Sequence, residues 1–225
     1  LVLRRQRQMC IRDRNTERTI EVMMFSGIVQ TVGKIESIKD KNHIKTIRIE
    51  THGDYLKDIA IGQSVSVDGV CLSLVKKNNE YCEFEAVEET INRTTLGSYM
   101  QGTKVNLEKS LKFGDTVGGH FVSGHIHTRG RIVEVELVGE SKNILVEIEE
   151  KWIKYLTEKG YISVNGASIT IGKVSKNTFY VHLIPETLKT TNLDELIYDN
   201  YVNLEFDQAT IAIVDTTERL INQKR

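Results

Sequence analysis

The chain has 225 residues, of which 40% are hydrophobic and 27% are charged, and its formal net charge is −1. This composition is ordinary for a soluble globular protein. The near-neutral charge gives no electrostatic argument for nucleic acid or an anionic membrane as a partner, and no apolar run approaches the ~20 residues that span a bilayer. The three cysteines are an odd number without metal-ligand spacing, so we expect a reducing compartment and a cytoplasmic protein.

The first 23 residues differ from the rest of the chain. They carry six arginines against three acids, and the sequence contains no second copy of them. They also lack the apolar core of roughly 7–15 residues that a secretory signal contains. We interpret residues 1–23 as an extraneous or disordered tail, with the working protein starting at Met24. A basic targeting arm is the alternative.

The remainder repeats itself at an offset of 97 residues (124 − 27 = 97). A repeat this long indicates a duplicated domain rather than a solenoid unit of roughly 20–50 residues. A site shared by two such domains can bind two similar ligands in related poses. The paired segments are Ser26-Gly27 with Ser123-Gly124, Gly33-Lys34-Ile35 with Gly130-Arg131-Ile132, Ser66-Val67-Asp68-Gly69 with Ser163-Val164-Asn165-Gly166, Glu89-Thr90 with Glu186-Thr187, and Val105-Asn106-Leu107-Glu108 with Val202-Asn203-Leu204-Glu205.

Each copy alternates short Val-, Ile-, Thr- and Tyr-rich segments with turn signals, which is typical of an all-β barrel or sandwich. The pairs Asp68-Gly69 and Asn165-Gly166 are tight-turn signals between two such segments. Helical spacing is clearest over residues 152–159, with a counterpart near 54–59. We predict an all-β fold of two tandem six-stranded, Greek-key-like barrels with short helices, over residues 24–112 and 113–208. The predicted strands cover residues 44–49, 64–67, 70–75, 81–87, 144–148, 162–164, 167–171 and 179–184.

The end of the chain has no counterpart in the repeat. Val214, Thr217, Leu220 and Ile221 share one helical face, and the cationic Lys224-Arg225 suits the end of a helix. We predict that residues 209–225 form a helix. It either folds back on its own chain or meets copies of itself as an oligomerisation helix.

The densest polar cluster runs from Gly118 to His127, where the first copy passes into the second. Three histidines within eight residues are candidates for acid–base or substrate contact, but zinc would need a fourth ligand at sensible spacing, so we predict no metal. Cys71 alone is more often a small buried apolar residue than a nucleophile. Its repeat partner is Ser168. Asp207, taken alone, is a solvated or helix-capping acid, and the sequence contains no P-loop, nucleotide-binding glycine motif or serine-hydrolase elbow.

Several long motifs, in order, resemble those of the riboflavin synthases of the homotrimeric two-barrel type. The resemblance runs from Met24 to about Leu220. It implies dismutation of two 6,7-dimethyl-8-ribityllumazine molecules into riboflavin and 5-amino-6-(D-ribitylamino)uracil, with no cofactor. It also implies a homotrimer with sites between subunits, and raises association with a lumazine synthase. The motifs are MFSGIVQTVGKI, SVSVDGVCLSL, GGHFVSGHIHT, SVNGASITIG, HLIPETLKTTNL and VNLEFDQATIAIVDTTER.

The resemblance also implies site residues at matching positions. It implies that Cys71, His120 and His125 of one chain, with Phe25, meet Ser168, Thr170 and Asp207 of a neighbour. The candidate catalytic residues are His120, His125, Cys71, Ser168 and Asp207, and the candidate substrate-binding residues are Phe25, Ser26, Gly27, Ser64, Ser73, Thr90, Thr170 and Thr187.

Two other classes of function share this fold. A non-catalytic lumazine- or flavin-binding antenna protein is the main alternative, but it would be expected to lose site residues in one barrel. The other alternative is a barrel domain of a flavin-dependent reductase, but no nicotinamide-binding domain follows here. We therefore expect an enzyme.

Overall fold

The structure is a computed structural model that describes residues 24–41 and 44–223. The predicted tail, residues 1–23, lies outside the described residues, as do the last two residues of the predicted terminal helix. The described chain forms two antiparallel barrels of six strands each. The strands of the first barrel are β1 (Thr31–Lys41), β2 (Ile44–Glu50), β3 (Ser64–Val67), β4 (Val70–Lys77), β5 (Tyr81–Val87) and β6 (Lys104–Lys109). Those of the second are β7 (Thr128–Val138), β8 (Ser141–Glu147), β9 (Tyr161–Val164), β10 (Ala167–Ser175), β11 (Thr178–Leu183) and β12 (Tyr201–Phe206).

Both barrels close with the same neighbour order. In the first, the strands follow β1-β2-β5-β4-β3-β6, and the second repeats this order with each number raised by six. Each barrel has its own apolar core, which includes Phe84 in the first and Phe179 and Phe206 in the second. The cores form because alternate residues point inward, as Ile47 and Ile49 do on β2. The prediction of two closed six-stranded barrels is confirmed.

Short helices follow the same strands in both copies. They are α1 (Gly53–Leu56), α2 (Glu88–Arg93) and α3 (Pro185–Thr190), with 3₁₀ segments at Thr95–Ser98, Glu150–Tyr155 and Asn192–Glu195. The helix predicted over residues 152–159 is wrong in type and extent, because a 3₁₀ segment ends at Tyr155. Beyond it, Lys159 has a φ of 68°, which is not helical. Its N–H donates to the Ile171 carbonyl on β10 instead of to a carbonyl one helical turn earlier.

The two barrels meet at their equivalent tight turns. A Cβ on Gly69 would lie 2.8 Å from the Gly166 nitrogen, so the backbones approach as closely as glycine allows. The Asn106 amide donates to the Asn165 carbonyl at 2.9 Å, and the Asn203 amide donates to the Asp68 carbonyl at 2.9 Å. Each turn is therefore fixed by an asparagine of the other barrel.

The terminal helix α4 (Gln208–Gln223) begins on the second barrel. Ile211 and Val214 pack against the core of that barrel, and the Tyr155 hydroxyl donates to Asp215 Oδ1 at 2.6 Å. Val214 and Ile221 are seven residues apart and lie on one helical face, as the sequence predicts, but that face is not free along its whole length. Val214 covers its own barrel, whereas Leu220 and Ile221 are 55% and 52% exposed. Within the described residues, none of the helices has the length and apolar character needed to span a membrane.

Candidate active site

Two loops, one before each barrel, lie side by side and cross between the barrels. Phe25 and Val122 pair in antiparallel fashion, with N–H to carbonyl distances of 2.7 and 3.0 Å. The Gly27 carbonyl accepts the N–H of Ser168 at 2.8 Å, and the Gly124 carbonyl accepts the N–H of Cys71 at 2.9 Å. We call residues 24–30 the first loop and residues 118–127 the second loop. Each loop thus bonds to the strand that follows the tight turn in the opposite barrel.

The first half-site is a cavity of about 280 Å³ where the second loop meets the first barrel. Cys71, the second residue of β4, is partly exposed, and Thr90 and His125 line the same cavity. Three residues predicted from the sequence are thereby brought together. Arg93 also lines the cavity and pairs with Glu89 at 3.1 Å.

The Cys71 thiol is held in its neutral form. Burial raises the pKa of the thiol, a hydrogen bond with Ser64 opposes that shift, and the negative charge of Glu205 adds to it. A thiol with a raised pKa is a weak hydrogen-bond donor rather than a ready thiolate nucleophile at neutral pH.

Ser168 on β10 is the repeat partner of Cys71, and we call the cluster of side chains around it the second half-site. The Ser168 hydroxyl lies 2.6 Å from His120 Nδ1, and the His120 ring stacks on Tyr161 with 5.5 Å between ring centres. His120 Nε2 is buried and has no hydrogen-bond partner among the described residues. The second loop therefore supplies a histidine to the second barrel and, five residues later, another to the first.

Burial and charge set the protonation state of this histidine. Burial lowers the pKa of His120, and the negative charge of Asp207 opposes that shift. For Asp207, burial raises the pKa, but hydrogen bonds from Thr210 and Ala209, together with the charge of protonated His120, outweigh it, and the pKa is lowered. The Thr210 N–H and hydroxyl both donate to Asp207 Oδ2, at 2.9 and 2.7 Å. Asp207 is thus a charged cap of α4 that faces a neutral imidazole.

This arrangement corrects the grouping drawn from the sequence. His120 was expected to accompany Cys71 against Ser168 of a neighbouring chain, but its ring contacts Ser168 of the same chain. The reason is geometric, because His120 and His125 leave the second loop on opposite sides of the crossing. Cys71 and His125 belong to one half-site, and His120, Ser168 and Asp207 belong to the other.

The remaining predicted residues take several positions. The Phe25 side chain is fully buried, and the Ser26 hydroxyl donates to Glu108 at 2.7 Å. Ser73 pairs with Ser64, and Thr170 pairs with Tyr161, at equivalent places beside the two half-sites. The Thr187 carbonyl accepts the Thr191 hydroxyl at 2.6 Å, and the Thr90 carbonyl accepts that of Thr94 at 2.7 Å. Their contacts with a substrate stay predictions.

Sequence reasoning missed two side chains at the half-sites, Arg93 and Tyr161. Their repeat partners are Thr190 (93 + 97) and Ser64 (161 − 97), so the two copies differ in charge or size at these positions. Comparing the copies position by position would have found both. The described residues hold no group of three or more His, Cys, Asp or Glu side chains placed to bind a metal ion.

Comparison of the sequence with known proteins gives the same family for both copies. The lumazine binding domain matches the chain twice, over residues 26–110 and 123–207. The riboflavin synthase of Chlamydia trachomatis is 40% identical over 202 residues, covering 89% of this chain and 98% of that protein. The riboflavin synthase of Escherichia coli strain K12 is 37% identical over 199 residues, covering 88% of this chain and 93% of that protein.

Solved structures give the same fold. LumP, crystallised with riboflavin, superposes with a TM-score of 0.77 at 26% identity, covering 82% of this chain and all of that one. LumP crystallised with 6,7-dimethyl-8-(1'-D-ribityl) lumazine has a TM-score of 0.75 at 24% identity, which speaks to the fold alone. Because both domain copies match and curated relatives align over nearly their whole length, the chain belongs to the riboflavin synthase family.

Proposed function

We propose that this protein forms riboflavin by dismutation of two 6,7-dimethyl-8-ribityllumazine molecules. One molecule gives a four-carbon unit to the other and leaves as 5-amino-6-(D-ribitylamino)uracil. The substrate serves as both oxidant and reductant, so the balance requires no further redox reagent. The observation that carries the proposal is that both lumazine-binding domains keep polar site residues, with Cys71 and His125 in one and Ser168 and His120 in the other.

The chemistry explains why two half-sites are useful. Holding two reactants in contact removes much of the entropic barrier to a bimolecular step. The C7 methyl group of the lumazine is acidic because its anion delocalises into the ring. A neutral imidazole held 2.6 Å from a hydroxyl, as in the His120–Ser168 pair, is suited to move that proton. We assign this pair to proton transfer, and Cys71 and His125 to contacts with the other lumazine.

Incubation of the purified protein with the lumazine alone tests the proposal. Riboflavin should appear by its fluorescence, with two lumazines consumed for each riboflavin formed, and dialysis against a chelator should leave the rate unchanged. S168A should lower the rate, and S175A, which removes the hydroxyl of an exposed serine at the far end of the same strand, is its matched control. Tight lumazine binding with no riboflavin would instead indicate an antenna protein.

We further propose that three chains assemble through α4, with the first half-site of one chain facing the second half-site of its neighbour. The exposed side chains of Leu220 and Ile221 support this, because they lie beyond the part of the helix that covers its own barrel. The double variant L220E/I221E should sediment as a smaller species and lose turnover. A fully active monomer would refute the shared site.

A cytoplasmic location and an association with a lumazine synthase complete the proposal. Such an enzyme would supply the substrate directly. Copurification of the two from the same cells, with the α4 variant as control, tests the association. Fractionation of the cells tests the location.

A further inference from the structure

Two buried glutamates occupy equivalent places in the two barrels. Glu108 on β6 and Glu205 on β12 are one repeat apart (205 − 108 = 97), and they are only 3% and 1% exposed. Neither side chain takes part in the chemistry proposed above. A buried carboxylate is costly unless its oxygens are fully hydrogen-bonded, so its contacts show what it holds.

Glu108 binds the first loop through three hydrogen bonds. Its Oε1 accepts the Ser26 N–H and the Ser26 hydroxyl, each at 2.7 Å, and its Oε2 accepts the Gly27 N–H at 3.1 Å. Hydrogen bonds to a carboxylate are shorter and stronger than neutral ones. The loop backbone at residues 26 and 27 is therefore fixed by a single side chain.

Glu205 binds the second loop in the same way. Its Oε1 accepts the Ser123 N–H and hydroxyl at 2.7 Å each, and its Oε2 accepts the Gly124 N–H at 2.9 Å. The repeat has thus kept a complete set of three hydrogen bonds in both barrels.

The glycine of each set makes the next contact across the barrel boundary. Gly27 accepts the Ser168 N–H, and a Cβ on Gly27 would lie 2.6 Å from the Ser168 Cβ. Gly124 accepts the Cys71 N–H, and a Cβ there would lie 2.5 Å from the Cys71 Cβ. Glu108 of the first barrel therefore holds the loop that fixes Ser168 of the second, and Glu205 of the second holds the loop that fixes Cys71 of the first.

We propose that Glu108 and Glu205 are crosswise positioning residues, each setting the geometry of the half-site in the opposite barrel. The expected effect on turnover rests on the proposed function, whereas the expected effect on the positions of Cys71 and Ser168 is independent of it. The ordinary alternative is that each glutamate stabilises only the barrel to which its own strand belongs.

The Cys71 thiol provides a direct readout. In a C10S background, the rate of its alkylation by iodoacetamide is followed by mass spectrometry of the Cys71 peptide. Cys82 is 1% exposed and reports global unfolding. Replacing Glu205 by glutamine puts an amide donor against the loop donors, so we expect E205Q to raise the Cys71 rate about tenfold through local opening of the second loop. E108Q should leave that rate within about twofold.

Loss of the Glu205 charge by itself also eases ionisation of the Cys71 thiol, so a variant without a charge change is needed. S123A removes one of the three hydrogen bonds and keeps the carboxylate, and S26A is its exact counterpart in the other loop. We expect S123A to raise the Cys71 rate severalfold and S26A to leave it unchanged. This pair also decides the question if either glutamine variant fails to fold.

The mirror experiment moves the thiol to the other half-site. In a C10S/C71S background, the S168C thiol should become more reactive with E108Q and S26A and should be unaffected by E205Q and S123A. That reversal supports crosswise positioning. An equal rise for both glutamates, a rise on the same-barrel side, or no rise in either background would overturn it.

Turnover is a separate measurement. E108Q and E205Q should both lower kcat about tenfold or more, with Cys82 still protected, because each displaces one half-site relative to the other. If the thiol pattern is crosswise while even the unaltered protein makes no riboflavin, the proposed function fails and the positioning role stands.

Discussion

The two barrels share their framework and differ at their sites. Asn106 and Asn203 pin the turns of the opposite barrels, and Glu108 and Glu205 bind equivalent loops with nearly equal distances. At the half-sites the copies diverge. The differing pairs, first barrel before second, are Cys71 and Ser168, Ser64 and Tyr161, Ile28 and His125, and Arg93 and Thr190.

The duplication has preserved the contacts that hold the barrels together and varied the residues at the candidate half-sites. Residues that fix backbone positions can change little, because their partners are backbone groups that every sequence carries. Asp68 and Asn165 differ in charge, but each keeps the side-chain oxygen that accepts the N–H of Asn106 or Asn203. Residues at a cavity wall have that freedom. Two identical substrates can then be treated unequally, which a dismutation requires.

The two loop glycines test the shared framework, and their substitution should have the strongest effect. G124A places a Cβ 2.5 Å from the Cys71 Cβ at a φ of 81°, and G27A does the same against Ser168 at a φ of 73°. We expect each to lower the free energy of unfolding by about 3 kcal/mol, from strain and overpacking together. G62A is the control. Its φ is 91° with no atom within 4 Å of the new Cβ, so it should cost only about 1 kcal/mol.

Urea unfolding of the three variants supplies the measurement. Equal costs for G27A and G124A are expected because the crossings are equivalent. A cost of G124A no greater than that of G62A would mean that the close approach to Cys71 is not maintained in solution.

The next effect tests the divergence at the half-sites. S168A removes the partner of His120 Nδ1, and we expect kcat to fall about 100-fold with little change in stability. C71S keeps a small polar group in the first half-site, so its kcat should fall about tenfold or less. Steady-state riboflavin formation measures both. Equal losses for the two variants would contradict the assignment of proton transfer to the second half-site.

A smaller effect concerns the turn between the barrels. Burial raises the pKa of Asp68 to about 7, against hydrogen bonds from Tyr99, Asn106 and Asn192, whereas its repeat partner is the neutral Asn165. A raised folded-state pKa means that stability is full below about pH 4 and is lost as pH rises toward about 7. Because D68N cannot ionise, its stability should decline less steeply over this interval and exceed that of the unaltered protein at pH 8 by about 1 kcal/mol.

Chemical unfolding at several pH values checks this. Glu108 keeps its own dependence in the same direction, since burial raises its pKa to about 7 as well. Parallel curves for D68N and the unaltered protein would show that Asp68 is not the group responsible. N165D is the reverse change, and it should steepen the decline.

The smallest effect concerns a surface charge. R93T gives the first half-site the residue of the second and breaks the pair with Glu89, whose side chains are 58% and 77% exposed. Such exposed pairs contribute little, so we expect less than about 0.5 kcal/mol in stability. A change in KM for the lumazine beyond about twofold would therefore report contact of Arg93 with the ligand.

The duplication and the strand pattern could be read from the sequence alone. The 97-residue repeat, the alternation along segments such as 44–49 and the turn pairs Asp68-Gly69 and Asn165-Gly166 indicate two copies of a small β-domain, a barrel or a sandwich, because strand faces and tight turns are local properties. The terminal helix could also be predicted from local sequence, since α4 has its own apolar periodicity. The repeated Ser-Gly and Val-Asn-Leu-Glu segments were visible in the sequence, but their connection was not.

Which of these segments meet depends on how the two folded barrels pack against each other. Ser26 and Glu108 are 82 positions apart, and His120 and Ser168 are 48 apart, so no local pattern joins them. The placement of His120 beside Ser168 and of Val214 on its own barrel depends on how the loops and α4 cross after both barrels have closed. Periodicity fixes the face on which a side chain lies, whereas the packing of one closed barrel against the other fixes what that face touches.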